Sequence, residues 1–273
     1  MKDLSDRTTL LVAFGYDGAR FFGLQPQLDR PTAGAALIAR LTEAFGTPPR
    51  GLAFAARTDR GVHATHNLAT CWYRDLPAPD DGLAELARER DDGLRAVSAV
   101  RIPPQVHARG ASRGKHYRYV VEDGCGPDSR SSDVAWRIVP IIDVKRAQGA
   151  ARLLMGTHDF SSLRGGGCDA QSTEKTLSLV QVGRVEEQVV IDVVGNAFLR
   201  KMVRNLVGLL VEVGTGWREP ADVATILAAK SRMAAGLCAP PEGLTLVQVG
   251  FAWPPDGSNE LLTPPPASVP QGA

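Results

Sequence analysis

The loop around Asp59 carries residue types that could perform chemistry. Asp59 stands between Arg57 and Arg60, and Gly61 follows at a point where the backbone can turn sharply. Two neighbouring guanidiniums favour the ionised form of a carboxylate, which suits a nucleophile better than a general acid. An Asx-type turn with solvated arginines accounts for the same residues. The loop alone is therefore a weak signal.

A second segment combines cations with aromatic rings. Its basic residues are Arg109, Arg113, Lys115, His116 and Arg118, interleaved with Tyr117 and Tyr119. On a strand, the two tyrosines share one face and Arg118 points to the other. This surface could stack an unpaired base and hold phosphates. The alternative is that both tyrosines pack inward and the cations are merely solvated.

A third segment predicts the strongest helix of the chain, from Phe198 to Val213. Arg200 and Arg204 are four residues apart and would share one helix face, with Lys201 beside them. A partly buried Arg204 needs an anion, and Asp59 is an eligible partner. The alternative is a core helix with a solvated basic face.

A fourth segment, 156–168, contains His158 followed by Ser161 and Ser162, and then three glycines. A hydrolase using one of these serines with His158 is one hypothesis. The spacing matches no nucleophile elbow and no Walker pattern. The glycine-rich part is more compatible with a loop that lies along a phosphodiester backbone, or with a flexible loop.

The composition bounds the class of protein. With 273 residues, two domains are expected. The 31 basic and 30 acidic residues nearly cancel, so only local charge could indicate a nucleic-acid partner. The four cysteines have no C-x-x-C spacing, which argues against structural zinc. The chain shows neither a signal peptide nor a membrane-spanning run, so we expect a cytoplasmic protein with reduced thiols.

Hydrophobic periodicity predicts an α+β fold. Strands are expected at 8–16, 52–56, 68–73, 94–102, 116–121, 177–182, 189–194 and 244–251, and helices at 37–45, 143–154, 198–213 and 220–230. Pro103 and Pro104 mark the predicted boundary between an N-terminal domain, 8–104, and a C-terminal domain, 105–252. The proline-rich segment 253–273 is expected to be a disordered tail.

These segments, in this order, resemble the tRNA pseudouridine synthase A family. The matching blocks are Tyr16-Asp17-Gly18, Phe22-Gly23, Gln25, Arg57-Thr58-Asp59, Gly61-Val62-His63-Ala64, Val106-His107-Ala108-Arg109, Tyr117-Arg118-Tyr119, Gly156, His158-Asp159-Phe160, Asn196-Ala197-Phe198-Leu199, Met202-Val203-Arg204-Asn205-Leu206-Val207-Gly208 and Glu242-Gly243-Leu244. They span about 10 to 250. The Arg-Thr-Asp and Met-Val-Arg-Asn blocks together are the most specific.

The resemblance implies an isomerase that converts uridine to pseudouridine in the tRNA anticodon stem-loop, at positions 38–40 in tRNA numbering. It implies two α/β domains whose antiparallel sheets join across a basic active-site cleft. It also implies a homodimer that binds tRNA, with no cofactor, no metal and no membrane. The alternative is a non-catalytic RNA-binding protein on the same scaffold.

The resemblance also assigns roles to residues. The expected catalytic residues are Asp59, Tyr117 and Arg204. Asp59 is the expected nucleophile, Tyr117 stacks on the target uracil and assists proton transfer, and Arg204 pairs with Asp59 and keeps it ionised. Arg57 is expected to hold a phosphate of the flipped nucleotide, and Leu244 to pack beneath the base. Further substrate contacts are expected from Arg60, Arg109, Arg118, Arg200 and Lys201. Arg60 departs from the family pattern, which usually has a small residue there, and either narrows the pocket or adds a phosphate contact.

Overall fold

The computed structural model describes residues 6–74, 76, 79–126 and 132–252. The chain divides into two compact units. Unit 1 comprises Met1–Arg113 and Leu246–Ala273, and unit 2 comprises Gly114–Thr245. The domain ranges expected from the sequence, 8–104 and 105–252, stay a prediction. The tail expected at 253–273 lies outside the described residues.

The described part of the chain forms ten strands. They are β1 (Arg7–Tyr16), β2 (Gly51–Phe54), β3 (His63–Arg74), β4 (Leu94–Ile102), β5 (Ser112–Glu122), β6 (Trp136–Arg137), β7 (Gly156–Asp159), β8 (Glu174–Val185), β9 (Gln188–Gly195) and β10 (Leu244–Phe251). Every strand expected from the sequence is present, although β2 ends at Phe54 rather than at Ala56.

Six α-helices accompany the strands within the described residues. They are α1 (Ala33–Phe45), α2 (Pro79–Leu86), α3 (Ala108–Ala111), α4 (Val144–Leu153), α5 (Met202–Gly214) and α6 (Asp222–Ala229). Local capping chemistry sets several ends. The Thr32 side chain accepts a hydrogen bond from Ala35 N, and Asp143 accepts from Lys145 N and Arg146 N. None of these helices is both long and apolar enough to cross a membrane.

Unit 1 is built on an antiparallel sheet. Strand β1 lies between β3 and β4, and β2 pairs with β3. Residues 10–14 of β1 are all at most 2% exposed, so this strand is buried on both faces. Cys71 lies on β3, opposite Leu10 and Leu52, and its burial raises the pKa of the thiol to about 12.

The strands of unit 2 pair mostly antiparallel. Strand β9 lies between β5 and β8, and β7 pairs with β8. Helix α4 packs on α5 and on β8. Helix α5 is buried from Met202 to Gly214 except at Arg204, as its nearly unbroken apolar sequence requires. These antiparallel strand pairs, together with the helices, confirm the α+β class.

The start of α5 differs from the sequence prediction. The helix begins at Met202, not at Phe198, because Lys201 adopts the left-handed backbone conformation with φ 58°. The backbone N–H of Gly165 also donates to Arg200 O at 2.7 Å. The expectation that Arg200 and Arg204 share one helix face was therefore wrong, because Arg200 lies outside the helix.

Candidate active site

Asp59 lies in the connection between β2 and β3. Val62 N donates to the carbonyl oxygen of Asp59 at 3.2 Å, which closes a tight turn. Gly61 within that turn has φ 79°, a conformation that side chains rarely adopt. The sequence expectation of two strands joined by a tight loop is confirmed.

The backbone of this loop rests directly on Gly23 and Leu24. Leu24 N donates to Thr58 O at 3.2 Å. A Cβ atom on Gly23 would lie 3.1 Å from Thr58 O and 3.2 Å from Arg60 N, and Gly23 itself has φ 91°. Only glycine allows the chain to pass this close in that conformation. The position of the Asp59 backbone is thus set by contacts with a segment distant in sequence.

Two buried side chains hold the first half of the loop. The hydroxyl of Tyr16 and that of Thr58 share a hydrogen bond of 2.8 Å, and Asn67 Nδ2 donates to Ala56 O at 3.1 Å. Burial raises the pKa of Tyr16 to about 12, so its hydroxyl stays neutral at physiological pH. These neutral contacts fix the loop without consuming the charge of Asp59.

The second half of the loop is held at His63. Gly18 N donates to His63 Nδ1 at 3.1 Å. A Cβ atom on Gly18 would lie 2.4 Å from the carbonyl carbon of Val62, closer than any side chain allows. The loop is therefore clamped at both ends by glycine contacts.

The arginines around Asp59 are exposed. The Arg60 guanidinium lies over the ring of Phe22, and so does that of Arg30. Arg57 points to solvent as well. Within the described residues, the side chains of these three arginines form no hydrogen bond and no ion pair. They are the cations of unit 1 that remain available to a ligand beside Asp59.

Tyr117 and Tyr119 lie on one face of β5, as the sequence indicated. Tyr117 is 7% exposed, and its ring meets that of Phe198 edge to face at a centroid distance of 5.0 Å. Tyr119 is fully buried and donates to Pro240 O at 2.7 Å. Tyr119 therefore packs completely inward, and Tyr117 packs almost completely inward.

Arg118 lies on the opposite face of β5 and binds a carboxylate. Its Nε and Nη2 atoms lie 3.0 and 3.1 Å from the two oxygens of Asp192 on β9, and His116 Nε2 lies 2.6 Å from the first of these oxygens. Burial alone would raise the pKa of Asp192, but the contacts with His116 and Arg118 outweigh it and hold that pKa below its usual value.

Arg204 is half-buried in the first turn of α5. Its Nε donates to Ala239 O at 2.7 Å, and Ala239 N donates to Arg204 O at 3.0 Å. This double contact fixes the segment that leads into β10. Leu244 begins β10 and is 5% exposed. The pairing of Arg204 with Asp59 stays a prediction.

The remaining basic candidates have different surroundings. Arg200 Nη1 donates to Gly166 O at 3.1 Å, so it ties the glycine-rich loop to the turn before α5. Lys201 is exposed beside it. Arg109 is exposed on α3, in unit 1. The structure therefore places Asp59, Arg57, Arg60 and Arg109 in unit 1, and Tyr117, Arg118, Arg200, Lys201, Arg204 and Leu244 in unit 2.

The serines near His158 are engaged elsewhere. Ser161 Oγ donates to Asp159 at 2.6 Å, and Ser162 Oγ donates to Ile226 O at 2.6 Å. His158 Nε2 donates to Met155 O at 2.8 Å. Neither hydroxyl donates to His158, so the hydrolase hypothesis finds no support in the geometry.

Sequence reasoning assigned no role to the residues that hold the loop. Gly23 and His63 fell within motif blocks but received no function, and Asn67 was overlooked. A signal for Asn67 was present, because it is a polar residue at the start of the apolar run of β3 and is fully buried.

Comparison with known proteins places the chain in a class of enzymes. Residues 150–252 match a family model described as tRNA pseudouridine synthase, and pseudouridine synthases are isomerases. Curated proteins called tRNA pseudouridine synthase A match over nearly their whole length. The protein of Syntrophotalea carbinolica is 35% identical over 241 residues, 87% of this chain and 94% of its own. That of Geotalea uraniireducens is 36% identical, over 86% of this chain and 96% of its own.

A third relative, from Coxiella burnetii, is 35% identical over 88% of this chain and 92% of its own. The chain belongs to the tRNA pseudouridine synthase A family. Among solved structures, a chain of a Cbf5–Nop10–Gar1 complex matches with TM-score 0.34 and 13% identity, over 72% of this chain and 46% of its own length.

Proposed function

We propose that this protein converts uridine to pseudouridine in the anticodon stem-loop of tRNA, at positions 38–40, with Asp59 as the nucleophile. The observation that carries the proposal is the Arg57-Thr58-Asp59 loop, held on Gly23 in a chain that is 35% identical to tRNA pseudouridine synthase A over 87% of its length. The names of these relatives support tRNA pseudouridine synthesis, and the positions and the nucleophile are part of the proposal.

The reaction is an isomerisation. The bond between N1 of uracil and C1′ of ribose breaks, the base rotates, and a bond forms between C5 and C1′. C5 loses a proton and N1 gains one, so no atom is added and no oxidant or cofactor is required. Water must stay out while the base is detached, because it would otherwise hydrolyse the intermediate.

An ionised carboxylate at position 59 suits the first step. It either forms a covalent adduct with the substrate or removes a ribose proton, and both routes need a fixed, deprotonated oxygen. The rigid loop supports this role, because Gly23, Tyr16 and Asn67 fix its backbone through neutral contacts. Preorganisation of this kind lowers the barrier by avoiding reorganisation during the reaction.

Other residues act on the flipped nucleotide. We assign Tyr117 to stacking on the uracil, Leu244 to packing beneath it, and Arg204 to pairing with Asp59. Arg57 and the other cations hold phosphates, which is required because the uridine must leave its stack to reach the carboxylate. These cations are Arg60, Arg109, Arg118, Arg200 and Lys201. The proposal includes a homodimer that works in the cytoplasm.

The test is the Asp59→Asn variant. The substitution keeps the shape of the side chain but removes the nucleophilic charge, so we expect pseudouridine formation to fall roughly 10³-fold or more. Binding of tRNA should change little. Unmodified tRNA with uridines at 38, 39 and 40 is incubated with each protein, and pseudouridine is then mapped site by site.

Asp81→Asn is the matched control, because Asp81 is an exposed carboxylate on α2. It should retain full activity. Substantial turnover by Asp59→Asn would remove Asp59 from the mechanism. If the unaltered protein binds tRNA but yields no pseudouridine, the chain is a non-catalytic RNA-binding protein on this scaffold.

A further inference from the structure

Phe22 lies at the centre of a cationic cluster beside the Asp59 loop. The guanidinium carbon of Arg60 lies 4.3 Å from the centroid of the Phe22 ring, and that of Arg30 lies 4.9 Å from it. Both arginines are exposed, whereas Phe22 is half-buried. These three residues are called the Phe22 cluster. Its chemistry, an aromatic ring with two guanidiniums over it, is typical of surfaces that bind nucleic acid.

A tight turn builds the Arg30 side of the cluster. Phe22 N donates to Pro31 O at 2.8 Å, and Gln27 Nε2 donates to Phe22 O at 2.9 Å. Gln27 and Arg30 form an isolated antiparallel bridge. The turn therefore closes around the backbone of Phe22 and carries Arg30 to the ring.

The Arg60 side is fixed to the catalytic loop. Arg60 directly follows Asp59, and Gly23, next to Phe22, supports the backbone of both residues. The cluster and the carboxylate thus share one rigid support. A ligand held by Arg60 and Arg30 is held at a defined position relative to Asp59.

The charge of the cluster is uncompensated. In the part of the chain that the structure describes, no carboxylate pairs with either guanidinium. An anion that contacts both guanidiniums would be attracted by two positive charges. A guanidinium stacked on a ring keeps its N–H groups available at its edge, in the planar arrangement that matches a phosphate.

We propose that the Phe22 cluster is a phosphodiester-binding site, in which Arg30 and Arg60 hold one backbone phosphate of the RNA strand next to the target uridine. The identity of that nucleotide rests on the proposed function, whereas the binding of phosphate does not. Holding the neighbouring phosphate stabilises the strand while its uridine is unstacked. Arg60 thereby adds a contact with the backbone of the substrate instead of closing the pocket.

The test measures binding without turnover. In the Asp59→Asn background, Arg60→Ala, Arg30→Ala and the double variant are titrated with a fluorescent, unmodified anticodon stem-loop RNA over a series of salt concentrations. Each single variant should raise Kd about tenfold, as loss of a charge-assisted contact does. Each should also reduce the magnitude of the slope of log K against log salt, by at most roughly 0.7 to 1. The double variant should lower it by no more, because both side chains act on one phosphate.

Arg50→Ala is the matched control. Arg50 is exposed and precedes β2, at the end of the β2–β3 hairpin away from Asp59, and its loss changes the net charge equally. Arg60→Lys keeps the charge but not the planar guanidinium. Its Kd for the RNA should therefore lie between that of the protein with Arg60 and that of Arg60→Ala. Circular dichroism verifies that each variant is folded.

The outcomes separate the two proposals. If Arg60→Ala and Arg30→Ala match Arg50→Ala in both Kd and slope, the cluster contributes only general charge and the phosphate site is overturned. That result leaves the proposed function intact if the unaltered protein forms pseudouridine. If the cluster variants lose binding while the unaltered protein forms none, the phosphate site stands and the proposed function fails.

Discussion

The Asp59 loop in unit 1 and the β5–β9 pair in unit 2 are both rich in cations, but they use them differently. The loop is held through its backbone and through neutral side chains, and its arginines form no ion pair among the described residues. On β5 and β9, Arg118 and His116 converge on Asp192. The arginines of the loop are thus exposed without an ion pair among the described residues, whereas Arg118 and His116 share one carboxylate across the two strands.

The comparison shows that a count of basic residues does not identify the binding surface. Arg118 appears equivalent to Arg60 in the sequence, but it is already paired. A paired guanidinium must give up its carboxylate before it can hold a phosphate, which costs free energy that an unpaired one does not lose. We therefore expect the exposed arginines beside Asp59 to contribute more to RNA affinity per residue.

The largest effect should come from breaking the backbone support of the loop. In Gly23→Ala, the added methyl group meets Thr58 O at 3.1 Å and the residue must keep φ 91°, so the loop has to shift. We expect kcat to fall about 100-fold, as a displacement of about 1 Å from the reactive geometry can cause. Gly46→Ala is the control, since it has a similar positive φ but nothing within 4 Å of its Cβ. Equal losses of kcat in both variants would show that the close approach is unimportant.

Removing the shared carboxylate of unit 2 should mainly affect stability. Asp192→Asn leaves Arg118 and His116 without their anion in a site where the Asp192 side chain is only 18% exposed. We expect the free energy of unfolding to fall by about 2–3 kcal/mol and Tm by about 5–10 °C. Arg57→Ala, which loses no hydrogen bond or ion pair to the described residues, should change stability by less than about 0.5 kcal/mol. Calorimetry of both variants tests whether the loss of a charged group lowers the free energy of unfolding more in the β5–β9 pair than in the Asp59 loop.

A smaller effect on the free energy of unfolding is expected when the pH is lowered. Hydrogen bonds from Arg184 lower the pKa of Asp123. Burial of the carboxylate raises this pKa and a hydrogen bond from Ile142 N lowers it further, so that the pKa lies below its usual value. The folded state therefore binds a proton less readily than the unfolded chain, so this contribution is complete above the unfolded pKa of about 3.9. It is lost as the pH falls through the lower folded pKa.

The Asp123→Asn variant isolates this contribution. At about pH 6 it should be about 1 kcal/mol less stable than the unaltered protein, and the gap should close as the pH falls below about 4. Urea unfolding at several pH values measures it. A gap that stays constant down to about pH 2 would mean that the Asp123–Arg184 contact is not linked to protonation.

The sequence predicted what depends on local patterns. Alternation and helical spacing located β1, α1 and β10, and the Asp143 cap located the start of α4. Helix α5 began later than expected, because the Gly165–Arg200 contact and the conformation of Lys201 depend on tertiary structure. Periodicity carries no information about such contacts.

The same limit applies to the site. Motif resemblance pointed to Asp59, and strand alternation placed Arg118 opposite Tyr117. The partner of Arg118 was missed, because Asp192 is found only from the β5–β9 register, in which these two residues face each other. Gly23 beneath Thr58 was missed for a similar reason, since the two residues are 35 positions apart in the sequence.

The buried thiol of Cys71 can report how often the strands of unit 1 open to solvent. Alkylating reagents react with thiolates. The Cys71 thiol is protected from them both by its pKa of about 12 and by its burial between β1 and β2. Its labelling rate therefore measures how often this sheet opens to solvent, whereas Cys125, Cys168 and Cys238 are partly accessible in the folded protein. Mass spectrometry of the four sites can compare the opening of unit 1 with and without added tRNA, and no further probe has to be attached.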